Sequence, residues 1–392
     1  MQNFDPYTVS YFAKTNFRTQ RVFGIKQADR LFHFYCVGKS GSGKTSLLLS
    51  LAKEDIHSGR GLTFLDVHGD AAKQLADYIN DRFPSKEYVY FDATDPNIPY
   101  GYNPLRKVSP SKRSLVTSNI LEIFQRNWKS AWGMKMEHIL RMMILTLLEQ
   151  PKADLSDILK LIHDKDFQRQ CLSNLSSEAN SKDALRAFWE KEFGKYKPAD
   201  LLPILNKIGA LLSHSVIKKI LIENTELLSL RKMMDTNSIL IINVSKGAIG
   251  SDASNILGGL LLTSLASSAF SRIDTLEKDR VPHFLYVDEF QVLSGNELIG
   301  ELLAQSRKFK LALILSNQFL HQLSIEVRNA VLGNVGTLVC FRLGITDARL
   351  MEKEFYPEFS ASDFTSLPNY SIYLKLMING KPSKPFSAET LL

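Results

Sequence analysis

Gly38-Lys39-Ser40-Gly41-Ser42-Gly43-Lys44-Thr45 reads G-x-x-x-x-G-K-[ST] and follows directly on an apolar run, Leu31 to Val37. This is the spelling of a phosphate-binding loop between a strand and a helix, the helix running from Thr45 to Ala52. Glycines let consecutive backbone N–H groups turn inward around phosphate oxygens. The lysine brings positive charge to the β- and γ-phosphates, and the threonine hydroxyl is a ligand for Mg2+. Nucleotide contacts are therefore expected over Gly38, Lys39, Ser40, Gly41, Ser42, Gly43, Lys44, Thr45 and Ser46, with Lys44 on phosphate and Thr45 on the metal. Chance supplies such a match in roughly one chain in a hundred of this length, and the strand–loop–helix context lowers those odds further.

The rest of the chain is long enough to build on that loop. Its 392 residues could hold two or three domains, and 44% hydrophobic with 23% charged residues is ordinary globular composition with ample core. The net charge of +7 is a mild excess compatible with a nucleic-acid or acidic-membrane partner. Cys36, Cys171 and Cys340 are widely spaced and form no C-x-x-C pair, so they read as small apolar core residues in a reducing compartment. Residues Met1–Arg30 are polar and hold no stretch resembling a signal peptide. Ala253–Ser271 carries no charge and would suffice for a membrane span by length. It is rich in Ser, Thr, Gly and Ala and closely follows a buried strand, so a core helix is expected.

Seven apolar runs read as interior strands of a parallel sheet: Phe32–Val37, Leu62–Val67, Tyr88–Phe91, Ile239–Val244, Phe284–Val287, Ala312–Leu315 and Thr337–Phe341. Most lack in/out alternation, as expected where helices cover both faces. Between Ser109 and Thr236 the spacing is helical, as in Ile139-Met142-Met143-Leu147 and Leu155-Ile158-Leu159-Ile162. Ser109-Pro110-Ser111, Gln150-Pro151 and the Ser-rich Ser173–Ser181 punctuate those helices. The architecture expected is a P-loop α/β ATPase domain built from residues 1–108 and 237–392, interrupted by an all-helical insertion over 109–236.

Hydrolysis needs more than a loop. His283 to Val287 is an apolar strand ending in Asp288-Glu289. Asp288 is expected to hold Mg2+ through water opposite Thr45, and Glu289 to orient and polarise the water attacking the γ-phosphate. The strand Leu311–Leu315 ends in Ser316-Asn317-Gln318, where an amide could sense the γ-phosphate or merely cap a turn. Ser306-Arg307-Lys308 closes a helix beginning near Leu298; a guanidinium there could reach the γ-phosphate of a neighbouring subunit, or be a solvated surface group.

Weaker signals remain open. Asp66-Val67-His68-Gly69-Asp70 resembles a metal cluster, although Gly69 suggests a turn near the nucleotide or at an interface. Asn206-Lys207-Ile208-Gly209 starts like a guanine-specificity N-K-x-D element but lacks the Asp, which argues against a GTPase. The stretch Phe124 to Trp132, with Arg126, Trp128 and Lys129, suits either base stacking or helix-core packing. Lys246, in the segment Ser245–Ser251, is a candidate contact for a DNA-facing loop.

The loop, Asp66-Val67-His68-Gly69-Asp70, Phe91-Asp92 with Tyr102-Asn103-Pro104-Leu105, Val287-Asp288-Glu289-Phe290, Ser306-Arg307-Lys308 and Gln318 occur in an order that resembles the type IV secretion coupling proteins of conjugation. These TraD/TraG-type ATPases belong to the wider FtsK–HerA superfamily of DNA pumps, and the resemblance runs from about Phe23 to Phe386. It implies a RecA-like core with a mostly parallel sheet, Mg2+-dependent ATP hydrolysis at the subunit interfaces of a homo-hexamer, and single- or double-stranded DNA drawn through the ring. It assigns phosphate to Lys44, the metal to Thr45 and Asp288, the water to Glu289, γ-phosphate sensing to Gln318 and a trans-acting finger to Arg307. Relaxosome or secretion-channel proteins are the partners it implies, with the helical domain recognising relaxosome or DNA. The neighbouring expectations are a HerA-type helicase or DNA-processing ATPase, and an ATP-binding adaptor that recruits substrates to a secretion platform. Membrane-bound relatives carry N-terminal transmembrane helices. Here none is read, so the expectation is a cytoplasmic protein that docks on a membrane partner at the inner membrane or works free of it. Val67 stands where many relatives have Pro.

Overall fold

The computed structural model describes residues 5–17, 20–175, 182–292 and 296–391. All seven runs expected to be interior strands are strands, and together they make up the parallel part of one large sheet. In chain order the sheet's strands are β1 (Val9–Thr15), β2 (Val22–Lys26), β3 (Phe34–Val37), β4 (Leu62–Asp66), β5 (Val89–Asp92) and β6 (Ile239–Asn243). They continue with β7 (His283–Val287), β8 (Leu311–Asn317), β9 (Thr337–Cys340), β10 (Ser371–Lys375) and β11 (Phe386–Thr390). Their spatial order is β2-β1-β11-β10-β9-β3-β8-β7-β4-β6-β5. From β9 to β5 each neighbouring pair runs parallel. From β9 back to β2 each pair is antiparallel.

The two halves differ in burial for a physical reason. Strands β3, β4, β6, β7 and β8 bury every residue, the pattern of a sheet covered on both faces. Two of the covering helices are α1 (Lys44–His57) and α2 (Asp70–Arg82), whose Leu47, Leu48, Leu51, Ile56, Leu75 and Ile79 join Phe34, Phe64, Ile241 and Tyr286 in one core. The antiparallel strands are partly exposed and mix polar with apolar residues, as in Val9–Thr15 and Phe386–Thr390. Their apolar signal is too weak to stand out in sequence, and the structure adds them as an extension the sequence reading did not anticipate.

A buried charge network pins this domain together. The Asp55 carboxylate, fully buried on α1, accepts from both Arg30 Nη atoms (2.8 Å from Nη2), from Arg60 Nη1 at 2.9 Å and from the Tyr286 hydroxyl of β7. Arg30 lies over the Phe284 ring at 4.0 Å and also donates to Tyr286 Oη at 2.7 Å.

The chain forms two compact units, the first made of Met1–Asp92, Ser229–Ser245 and Leu262–Leu392, the second of Ala93–Leu228 and Lys246–Leu261. The second unit is helical. Helices α3 (Pro110–Asn127), α4 (Met134–Leu148) and α5 (Pro198–Ser213) carry much of its core. The spacing Ile139-Met142-Met143-Leu147 is the buried face of α4. A two-residue parallel pair, Tyr100–Gly101 with Glu226–Leu227, is a strand the sequence did not signal. Of the Ser-rich punctuation at Ser173–Ser181, residues 176–181 lie outside the described residues. The chargeless segment forms α6 (Ser251–Phe270). Among the described residues this one helix is long and apolar enough to cross a membrane by length and composition, and 72% of its most apolar window is buried inside the protein. All three cysteines are buried and unbridged.

Two histidines sit uncharged in the first unit. Burial pushes His33 down to about 4 and His283 down to about 3 from the ordinary 6.5. His33 accepts from Leu313 N at 3.2 Å, and His283 Nε2 bonds Thr63 Oγ1 at 2.9 Å. The unfolded chain binds protons at these sites below pH 6.5 while the native state does not, so their contribution is intact above pH 6.5 and is lost as pH falls toward 4. Each contributes a slope of up to about 1.4 kcal/mol per pH unit in that window. Urea midpoints should therefore fall more steeply between pH 6.5 and 4 in the wild type than in a His33→Asn/His283→Gln variant. Asparagine is chosen because His33 has φ 70, and parallel pH curves for the two proteins would contradict the assignment.

Candidate nucleotide site

The site is assembled by strand register. Cys36 and Val37 of β3 lie opposite Ser316 and Asn317 of β8, while Leu315 of β8 lies opposite Val287 of β7. Three chains thus leave the sheet side by side at its carboxyl edge: at Gly38, at Asp288 and at Gln318. Since β8 lies between β3 and β7, its last residues can reach both the loop and the carboxylates.

The loop has the backbone its glycines were expected to provide. Gly41 and Gly43 have φ of 72° and 117°, conformations that side chains with a Cβ rarely adopt. The Ser42 hydroxyl donates to Lys39 O at 2.7 Å, and the buried Lys44 folds back so that Nζ donates to Gly38 O at 2.6 Å and Lys39 O at 3.2 Å. Helix α1 begins after Gly43 with no side-chain cap, so its first-turn N–H groups face the loop as an anion site.

The two halves read from sequence meet. Thr45 Oγ1 donates to Asp288 Oδ2 at 2.7 Å. Asp288 is buried, and its other oxygen accepts from the Ser316 hydroxyl and from Glu289 N at 3.1 Å. Hydroxyl and carboxylate oxygens are the hard donors that suit Mg2+ shared with phosphate oxygens, so the residues present fit that metal. Ser316 was not singled out in the sequence; the signal available was a hydroxyl at the end of a strand, directly before the Asn317-Gln318 pair.

Glu289 is partly buried with φ 54°, and its carboxylate accepts from Gln291 Nε2. Such a left-handed backbone on a non-glycine residue turns the side chain off the line of the strand at the sheet edge. The Asn317-Gln318 pair divides. Asn317 is fully buried, with Oδ1 accepting from Tyr35 Oη and Nδ2 donating to Phe319 O at 2.6 Å. Gln318, half-buried, follows it at the edge where the loop lies.

Arg307 is elsewhere. It sits in the short turn Ser306–Phe309 that enters β8, with its guanidinium over the Phe32 ring at 3.4 Å. Both neighbours mark the amino ends of β8 and β3, the opposite edge of the sheet from Gly38. There it lines an open groove of about 790 Å³ with Lys26, Lys308 and Lys310. The structure does not bring Arg307 together with the loop of its own chain.

The weaker signals resolve locally. The buried Asp66 carboxylate accepts from the N–H groups of His68 (2.8 Å), Ala71 (3.0 Å) and Ala72 (3.0 Å), so it caps the start of α2. Gly69, at φ 95°, has no room for a Cβ against Asn243 Oδ1. Among the described residues no group of three or more His, Cys, Asp or Glu is placed to hold a metal, and Gly69 makes the turn expected of it. Asn206–Gly209 lies within α5. Trp128 is buried and stacked on Phe124 at 4.3 Å, so it is packing and not a platform for bases. Trp132 donates through Nε1 to Glu137 at 3.1 Å. Lys246 opens a short helix, Lys246–Ile249.

A phosphate loop on an interior parallel strand, a carboxylate pair two strands away and a polar strand end between them define a P-loop NTPase of RecA-like α/β fold. Among solved structures the chain is similar to the plasmid coupling protein TrwB in complex with a non-hydrolysable ATP analogue. The TM-score is 0.67 at 15% identity, covering 100% of this chain and 90% of that one. An unbound form of the conjugative coupling protein TrwB gives 0.66 at 15%, over 92% and 86%. VirB4 of Thermoanaerobacter pseudethanolicus gives 0.63 at 12%, over 99% and 97%. At these identities the likeness is one of fold, and it is the fold of the coupling proteins and of VirB4. By sequence, no family model and no curated protein matches.

Ser316→Ala removes a buried donor from Asp288. Unfolding free energy in urea should drop by about 1–3 kcal/mol, the usual effect of leaving a buried acceptor without its partner. A drop under about 0.5 kcal/mol would mean that Thr45 and the Glu289 amide hold Asp288 by themselves.

Proposed function

We propose that the chain is a Mg2+-dependent ATPase of the conjugative coupling-protein type that moves DNA through a ring of identical subunits. The observation that carries this reading is the 2.7 Å bond between Thr45 and Asp288, which joins the phosphate loop to the carboxylate strand. When bound, Mg2+ would neutralise charge on the β- and γ-phosphate oxygens between these two side chains. Lys44 is held over the loop by two carbonyls it can exchange for phosphate oxygens. Glu289 is the group assigned to orient and deprotonate the attacking water, with Gln291 steadying its carboxylate. Gln318 stands beside the loop as the γ-phosphate sensor.

The position of Arg307 supports the ring. At the far edge of the sheet it cannot serve its own nucleotide, but it can serve a neighbour's, where a guanidinium would stabilise the charge that develops on the γ-phosphate. The same groove carries Lys26, Lys308 and Lys310 alongside Asp29 and Glu277, so with Arg307 its lining keeps a net positive charge that suits an anionic occupant. The net charge of +7 suits a partner bound through its phosphate backbone, with weak sequence preference and strong salt dependence. TrwB has been crystallised with ADP and Mg2+, and the donors at Thr45 and Asp288 suit the same pair here. Relaxosome or channel proteins are the proposed partners, and docking at the inner membrane would go through one of them.

ATP turnover by the purified chain, measured without DNA, with single-stranded DNA and with duplex, tests the proposal. Stimulation by one DNA form is expected, and Lys44→Ala should abolish turnover. Absence of stimulation with ATP still bound would favour the adaptor reading; unwinding of forks without displacement of triplexes from duplex would favour the helicase. Glu289→Gln should retain ATP binding and lose turnover by about a hundredfold or more; normal turnover would remove its role. Arg307→Ala should be inactive alone yet recover activity when mixed with Lys44→Ala subunits that supply Arg307, and failure of that rescue would remove the finger.

A further inference from the structure

The direction in which a bound nucleotide lies is set by which strands carry which groups. The residues suited to the terminal phosphate, Asp288, Glu289 and Gln318, stand on β7 and β8, on one side of β3. The nucleoside end must therefore leave on the other side, over β9 and β10. There the loop is gripped from outside. Lys39 N donates to Arg342 O at 2.8 Å and Tyr370 N donates to Ser42 O at 2.9 Å. Phe341 packs so closely on Gly38 that a Cβ would meet it at 2.5 Å, and the Tyr370 ring lies so near Gly43 that a Cβ would meet it at 2.8 Å.

Tyr370 has two properties that packing alone does not explain. Its φ is 66°, a conformation L side chains rarely adopt, and the residue remains 37% exposed beside the loop. Non-glycine residues held in such a backbone cluster at ligand sites, where surrounding structure over-determines them. Here the over-determination is visible: the Tyr370 carbonyl accepts from Thr390 N at 2.9 Å while its N–H holds Ser42. Next to it Arg342 donates to Asn369 Oδ1 at 3.0 Å, which fixes the guanidinium plane at the same edge.

We propose that Tyr370, with Arg342 beside it, forms the nucleoside subsite. The Tyr370 ring is the flat surface on which the base and ribose rest as they leave the loop at Gly43, and Arg342 supplies a donor edge. This rests on the reading of Gly38–Thr45 as the ATP loop. Because a stacking surface uses the π-face that every base has, the subsite takes ATP and GTP with little discrimination.

Calorimetric titration of the full chain with Mg-ATP, Mg-GTP and Mg-tripolyphosphate tests this, the last being a phosphate chain with no nucleoside. The variants are Tyr370→Phe, Tyr370→Asn and Tyr370→Gly; Asn and Gly accept positive φ, so the ring is removed without backbone strain. In the wild type both nucleotides should bind more tightly than tripolyphosphate. Tyr370→Asn and Tyr370→Gly should weaken ATP and GTP by about tenfold or more and tripolyphosphate by less than about twofold, with Tyr370→Phe near wild type throughout. Equal weakening of tripolyphosphate would show that the ring only supports the loop and would overturn the proposal, as would unchanged ATP affinity. A wild type that binds ATP no better than tripolyphosphate would overturn the subsite alone. A wild type that binds neither would remove the ATP-site reading itself.

Discussion

The parallel hydrogen-bond register that locks β3 between β8 and β9, and β8 against β7, governs what the molecule can do. Because Val37 is paired with Asn317 and Val287 with Leu315, the loop, the carboxylate pair and the polar strand end emerge at one level. A slip of one residue in any of these strands would turn its side chains to the other face and separate Thr45 from Asp288. Strands buried on both faces resist such slips, since every residue would exchange a packed neighbour for a void.

The same register imposes polarity on the whole domain. The loop, the carboxylate pair and the polar strand end gather at the carboxyl edge, and the amino edge receives Arg307 and the groove it lines. The loop and Arg307 therefore stand at opposite edges of one sheet, and it is this separation that the proposed sharing of a site between subunits rests on.

The buried Asp55 network gives the domain a second constraint. A carboxylate with no solvent access must be neutralised; Arg30, before β3, and Arg60, just past the end of α1, supply the opposite charge, and Tyr286 of β7 adds a hydrogen bond. Losing one partner of such a group typically costs about 3–5 kcal/mol. The network therefore ties α1, which carries the loop at its start, to the strand that carries Asp288 at its end. Tyr286 is two residues from that carboxylate, so the tie is short.

The loop and the interior strands were legible because their signals are local. A glycine-rich spelling fixes backbone geometry within eight residues, and a strand buried on both faces is an unbroken apolar run. Asp288 and Glu289 were legible for the same reason, being acids at the end of such a run. Half-exposed strands such as Val9–Thr15 and Phe386–Thr390 leave no comparable trace, because their apolar runs are broken by polar residues and their pairing partners lie at the other end of the chain. Ser316, Tyr370 and Arg342 were not legible either. A serine, a tyrosine and an arginine have no local spelling that marks them, and only strand order decides which of them stands beside the loop. The sequence by itself determined that this chain has a phosphate loop on a parallel α/β sheet, since those features are written in contiguous residues. Which side chains complete the site, and that Arg307 faces away from it, were decided by tertiary structure, because proximity between distant segments is a property of the sheet's order and register.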